Sequence, residues 1–295
     1  MIALLAAALA AAFAPPLETP LRYKTVEMRL VRGGEAQITL RQILRLVPVA
    51  AGYEATIIAG DHAVTGPEPY RTLFDTMLAP FAGVATRARL DRKGAVTGAL
   101  DSASTWAAAS TAVKAMLVRM DAEPSLPPAI KAAARATAAS TIDQASPEQR
   151  DRYVADAAGA LLAPALPALE IGESRAFTHE RRTPAGAMQA RGTVTLLAAD
   201  PATLHYRIET RTDPAASAPA VAALLATLTP ASSAADRARI EAAVAELKDM
   251  AYVEQTELTI DRVTGLIRRA HTDRYAVAPD GAHRGSEWDD LEREP

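Results

Sequence analysis

The chain has no cysteine, and none of its 295 residues is asparagine. Without cysteine there is no disulfide, no zinc site built on thiolates and no lipidated N-terminal cysteine. Aromatic residues are scarce, at 4%, so Leu, Ile, Val and Ala must fill the core. A dominant charge is missing too. The net charge of −3 and a pI near 6.0 give no global field for nucleic acid or an anionic membrane surface. There is no G-x-S-x-G, no phosphate-cradling glycine loop and no dinucleotide fingerprint. His179-Glu180 opens like a zinc-protease helix, but the motif then needs His at position 183 and finds Thr183.

What is present is globular in kind, with 49% apolar and 23% charged residues. Met1–Ala14 is an unbroken apolar run ending in Ala12-Phe13-Ala14, a small-x-small pattern suited to a signal peptidase. It is too short to span a bilayer, which takes about 20 residues, although no Lys or Arg precedes it. We expect residues 1–14 to be a signal peptide and the mature chain to be periplasmic or secreted.

Period-2 alternation follows. Tyr23–Val31, Ala36–Val47 and Tyr53–Ala59 read as three strands of an antiparallel meander, with Gly33-Gly34 closing the first hairpin. In the first strand Val26, Met28 and Leu30 share the face expected to pack, and Tyr23, Thr25, Glu27 and Arg29 face away. Arg175–Arg182, Ala187–Leu197 and Thr203–Arg211 repeat the layout. Leu90-Asp91-Arg92-Lys93-Gly94 is echoed by Ile260-Asp261-Arg262-Val263-Thr264-Gly265. Turn glycines lie 152 residues apart (Gly34 and Gly186) and later 171 apart (Gly94 and Gly265). A longer second connector, 40 residues over 212–251 against 23 over 61–83, accounts for most of the change. The pattern reads as an internal repeat.

Between strands the period becomes helical. Tyr70, Leu73, Phe74, Met77, Leu78 and Phe81 mark an amphipathic helix over 70–81, with Pro67 and Pro69 at its start. Residues 101–168 form an Ala-rich block of three helices. The first carries Trp106, Val113, Leu117 and Met120 on one side, and the third opens with the capping pattern Ser146-Pro147-Glu148-Gln149. Two more helices are expected over 218–228 and 233–250. A hairpin, Val253–Ile260 to Leu266–Val277, then ends the second unit. The fold class is α+β, with two repeated antiparallel β-meander units and covering helices joined by the helical block. In residue terms these are a first unit at 15–100, a connector at 101–168, a second unit at 169–278 and a mobile acidic tail at 279–295.

His179, His205 and His271, with Asp273 or Glu209, are raw material for a metal site if their strands adjoin, although solvated histidines on charged faces are the plainer reading. Glu254, Glu257 and Asp261 could pair as acid and base, and Arg181-Arg182 with Arg268-Arg269 could make a basic patch. Interleaved opposite charges favour a solvated face in each case. We therefore assign no catalytic residue, metal or cofactor. The aromatic and Met stripe reads first as core. A curved sheet with a helix across its concave face can also hold an apolar ligand between them. Its lining would be Tyr70, Phe74, Met77 and Phe81, extended by Trp106 and Met116.

An N-terminal export run followed by sheet and covering helix resembles, in organisation alone, the exported bacterial half-barrel proteins typified by the lipoprotein carrier family. The resemblance implies a non-catalytic protein that binds a lipid or acyl chain. The alternative is a structural module docking another envelope protein, and the third reading is a hydrolase with an unrecognised site. No nucleic-acid partner and no membrane span in the mature chain are expected.

Overall fold

Apolar alternation interrupted by glycine turns produces eleven strands that join one sheet. The computed structural model describes residues 13–31, 33–124, 128–162, 166–183, 186–212, 214, 238 and 249–295, with backbone alone at 129, 130, 133, 140, 179–183 and 186–188. The strands are β1 Leu21–Val31, β2 Gly34–Val49, β3 Gly52–Thr65, β4 Ala85–Asp91, β5 Val96–Asp101, β6 Ser174–Thr183, β7 Gly186–Ala199, β8 Thr203–Thr212, β9 Ala251–Asp261, β10 Ile267–Val277 and β11 His283–Arg293. The helices are α1 Tyr70–Leu78, continued by a 3-10 turn Ala79–Phe81, α2 Ala103–Ala122, α3 Pro128–Ala138, continued by a π-type turn Ala139–Asp143, and α4 Pro147–Gly159. Ser146 caps α4 through the full reciprocal box with Gln149. The helices expected over 218–228 and 233–250 fall almost wholly outside the described residues.

The strand order is β5-β4-β3-β2-β1-β11-β10-β9-β8-β7-β6, and every neighbouring pair is antiparallel. The α+β class therefore stands, as a single sheet. The tail expected to be mobile from Pro279 is instead largely β11. It closes the sheet between β1 and β10, with Tyr23 opposite Arg293 and Ala270 opposite Leu291. Its sequence misleads because Leu291 is its one buried side chain, while Glu287, Asp289 and Asp290 are held in ion pairs.

The sheet is rolled. Phe13 meets Tyr53 of β3 edge-on at 5.3 Å, and the N–H of the adjacent Ala14 donates to Thr264 O, in the β9–β10 turn, at 3.1 Å. In the strand order β3 lies four steps from β10 and five from β9, about 19–24 Å on a flat sheet at ~4.8 Å per strand. Only a curved sheet brings both within reach of neighbouring residues. The roll defines a floor, the end carrying the β2–β3, β4–β5, β7–β8 and β9–β10 turns, and a mouth at the other end.

The inner face at the floor is apolar. Leu44, Leu46, Ala55, Ile57 and Leu90 from one half share a buried cluster with Leu196, Leu204, Tyr206, Leu258 and Ile260 from the other. Ala158, Leu161 and Leu162, at and just beyond the end of α4, enter the same cluster. Each fully buried side chain of this size contributes roughly 1.5–3 kcal/mol. Tyr23 sits among them with its hydroxyl donating to Ile267 O at 3.2 Å, and burial pushes its pKa up to about 12.

This corrects the face expected for β1. Tyr23 is buried and Leu30 is 48% exposed, because the inner face turns polar towards the mouth. There Arg29 pairs with Glu27 and Glu287. Arg274 pairs with Asp289 and, at 2.9 Å, with Glu254. Hydropathy alternation inverts along the strand, and Met28 is buried on the outer face directly opposite Trp288.

Asp261 fastens the floor. Its Oδ1 accepts the backbone N–H of Val263 and of Thr264, both at 3.0 Å, and its Oδ2 accepts Arg268 at 2.8 Å and Arg293 at 3.1 Å. The β4–β5 turn is built alike: Asp91 Oδ1 accepts Lys93 N–H at 2.8 Å and Ala95 N–H at 2.9 Å. Arg92 donates to Ala50 O at 3.3 Å and Arg262 to Asp200 O at 3.3 Å, each reaching the preceding floor turn. The lead-in segments match too: Glu18 N–H donates to Leu46 O and Gly172 N–H to Leu196 O, and both residues have positive φ, 59° and 84°.

Candidate functional site

The helices gather on the inner face of the first half. α1 lies on β3 and β2, α2 on α1 and β4, and α4 on β5 and β4. Thr86, opposite the buried Ile57, meets Thr105 of α2 at 3.1 Å. His62 of β3 meets Asp75 of α1 at 3.0 Å. These contacts tie α1 and α2 to the sheet by polar atoms, and the apolar residues between the helices are left facing one another.

They enclose a cleft of about 510 Å3, within the ordinary size of a small-molecule site. α1 and its 3-10 turn supply Met77, Leu78 and Phe81; α2 supplies Trp106, Ala109 and Val113, on one face at i, i+3 and i+7. Ala109 and Ala112 are each 4% exposed, and their small side chains leave the space that a Leu would occupy. The π-type turn contributes Thr141 and Ile142, and α4 contributes Gln149 and Tyr153. Such turns commonly mark functional positions in helices. Trp106 stands edge-on to Tyr153 with ring centroids 5.6 Å apart, and Arg150 lies over the Trp106 ring at 5.7 Å. Burial raises the Tyr153 pKa above its usual 10.0.

Of the six residues singled out from sequence, Met77, Phe81 and Trp106 line this cleft. Tyr70, Phe74 and Met116 are half-buried on the same helices and stand off it. No strand residue lines the cleft, so the space lies among helices, whereas the stripe had been expected to face the sheet. Ile142, Gln149 and Tyr153 were missed. The one signal available was the capped helix that carries Gln149 and Tyr153; the turn holding Ile142 has no sequence mark.

A more open hollow of about 600 Å3 runs across β6–β8, lined by Ala176, Phe177, Thr178, Arg191, Glu209 and Arg211 among others. The histidines do not converge. β7 separates the strand of His179 from that of His205, and β9 separates His205 from His271. His205 is held by Thr203 at 3.0 Å and Thr259 at 3.2 Å. His271 lies between Asp290 at 2.8 Å and Asp273 at 3.2 Å. Burial lowers the His271 pKa, but those two carboxylates outweigh it and hold it above 6.5. Among the described residues no group of three His, Cys, Asp or Glu could hold a metal. The carboxylates weighed as an acid–base pair are each ion-paired elsewhere: Glu254 with Arg274, Glu257 with Arg207 at 2.7 Å, Asp261 with Arg268 and Arg293. Three strands separate Arg181-Arg182 of β6 from Arg268-Arg269 of β10.

No protein-family model matches the chain, and no curated protein matches it. Among solved structures it is similar to lipovitellin, in work on lipid–protein interactions, with TM-score 0.43 and 10% identity over 95% of this chain. The chain spans 25% of that lipovitellin chain. It is also similar to a porin-like protein from Bacteroides uniformis, with TM-score 0.21 and 9% identity over 96% of this chain and 100% of that one. Both likenesses are remote, and neither bears on function. No described helix is long and apolar enough to cross a membrane.

Proposed function

We propose that this protein binds an apolar ligand, a lipid or acyl chain, without chemistry, and that it does so in the cleft between α1, α2 and α4. One observation carries the reading. An apolar space of about 510 Å3 is walled by Met77, Phe81, Trp106, Val113 and Ile142, with polar groups confined to Thr141, Gln149 and the Tyr153 phenol. Apolar walls with a few fixed polar groups are the usual make-up of a small-molecule site. Methionine suits such a wall, since its flexible thioether adapts to different occupants.

The architecture that frames the cleft is, in this reading, two copies of one β-meander unit. The matched Asp91 and Asp261 turns, the matched Arg92 and Arg262 bonds, and the matched lead-ins at Glu18 and Gly172 support it. So does the strand order, in which β5 to β1 and β10 to β6 run the same way along the sheet. Only the first copy keeps a described set of helices on its inner face. Export to the periplasm or beyond belongs to the same proposal and rests on the apolar run at the N-terminus; a cut after Ala14 would remove the Phe13 and Ala14 contacts with Tyr53 and Thr264.

The test is native mass spectrometry of protein purified gently from its own cell envelope. A discrete lipid-sized adduct, lost on Met77→Asp while the fold is retained, is the expected result. A clean apo mass from folded protein contradicts the reading and favours a module that docks another envelope protein.

A further inference from the structure

The charge beside the cleft narrows the kind of ligand. Arg150, in the first turn of α4, holds its guanidinium 5.7 Å from the centre of the Trp106 ring. Its Nε donates to the Ala145 carbonyl at 3.2 Å, which fixes the plane of the group. Among the described residues no carboxylate pairs with it, unlike Arg29 with Glu287 or Arg207 with Glu257. The residue is half-buried, and an anionic ligand would supply the charged partner that its guanidinium lacks. Two further donors lie on the same helix. Gln149 Oε1 accepts Ser146 N–H at 2.7 Å, which leaves its amide N–H groups free to point outward. Tyr153, one turn on, lines the cleft.

We propose that the ligand is a single-chain amphiphile with an anionic head: the chain lies on Met77, Phe81, Trp106 and Ile142, and the head is held by Arg150 with Gln149 and Tyr153. This rests on the cleft being the binding site. The head is a carboxylate or a phosphate, either of which a planar guanidinium binds through two parallel hydrogen bonds. Arg150 does not itself line the cleft; it stands next to it, 5.7 Å from the centre of the Trp106 ring, which does.

The experiment compares dodecanol, dodecanoate and dodecyl phosphate by isothermal titration against the full chain and its Arg150→Gln variant. Charge-assisted hydrogen bonds of this kind give at least about a tenfold gain. Dodecanoate or dodecyl phosphate, or both, should therefore bind at least about tenfold more tightly than dodecanol, and the tighter of the two identifies the head. In Arg150→Gln that preference should vanish. Equal affinity for all three ligands overturns the anionic head and leaves the cleft reading standing. Failure of all three to bind overturns both. A preference that survives Arg150→Gln overturns the assignment to Arg150. Thermal unfolding of the variant, expected within a few degrees of the parent, confirms that the comparison is made on folded protein.

Discussion

Replacing Asp261 with Asn tests the fastening of the sheet floor. Burial of this carboxylate pushes its pKa up, but the Thr264 N–H and the Arg268 and Arg293 guanidinium groups outweigh that and hold it at about 2, against 3.8 unperturbed. A depression of nearly two pH units, at 1.36 kcal/mol per unit, corresponds to about 2 kcal/mol of stability. Because the folded pKa lies below the unfolded one, that stability is fully present above pH ~4 and is lost as pH falls through about 2. Asp261→Asn should be about 2 kcal/mol less stable than the parent in urea unfolding at pH 7. The gap should narrow steadily between pH 5 and pH 2 as the parent loses the same contribution. A variant within 0.5 kcal/mol of the parent at pH 7 (roughly the scatter of surface substitutions), or a gap that does not change with pH, would refute the reasoning. The first outcome would mean that the hydrogen bonds to this carboxylate are no better than those to water; the second would mean that they act through shape and not charge.

Phe13→Ala should lower stability by about 1–2 kcal/mol, since its half-buried ring covers Tyr53, and chemical denaturation of a chain retaining residue 13 measures it. Gly94→Ala should cost at least about as much, because its Cβ would stand 2.4 Å from the Phe13 ring at a φ of +84°. Loss of the Gly94→Ala effect in a Phe13→Ala background would confirm the contact. The His271 pKa, read by NMR titration, should lie above 6.5. Its raised value makes the contribution complete below pH ~6.5 and lost as pH rises through the folded pKa, so His271→Gln should cost under about 1 kcal/mol, at the acid side only. Ala112→Phe should fill the cleft and abolish ligand uptake, as read by native mass spectrometry, while leaving the sheet intact by circular dichroism.

Strands and hairpins were legible because their signals are local: period-2 alternation in β2 and β8, and glycines at the turns. The order of strands was not, since β1 meets β11 from opposite ends of the chain and nothing local announces that pairing. β11 was also masked by its own chemistry. Glu287 and Asp289 face inward, but they are neutralised by Arg29 and Arg274, so a strand of the sheet reads as a solvated tail. The same inner ion pairs inverted the expected face of β1. At the site, the stripe carrying Met77 and Phe81 and the tryptophan of the next helix were visible as apolar periodicity. The space they line was not. It depends on two alanines being too small, and on a π-type turn that swings Thr141 and Ile142 towards α2, features that become meaningful only once the helices are placed. Periodicity also could not separate Tyr70, Phe74 and Met116 from the lining residues, because neighbouring positions on a half-buried helix share the same hydropathy.

The most direct test of ligand binding in the cleft uses Trp106 as a reporter. Trp288, the one other tryptophan, lies opposite Met28 on the outer face and is removed by Trp288→Phe. A dodecanoate brominated close to its carboxylate, the end that Arg150 would hold beside Trp106, quenches indole fluorescence only on contact. Saturable quenching of Trp106, absent in Trp288→Phe combined with Ala112→Phe, is the predicted result. Binding of the same ligand with Trp106 emission unchanged would place the ligand elsewhere and contradict the account.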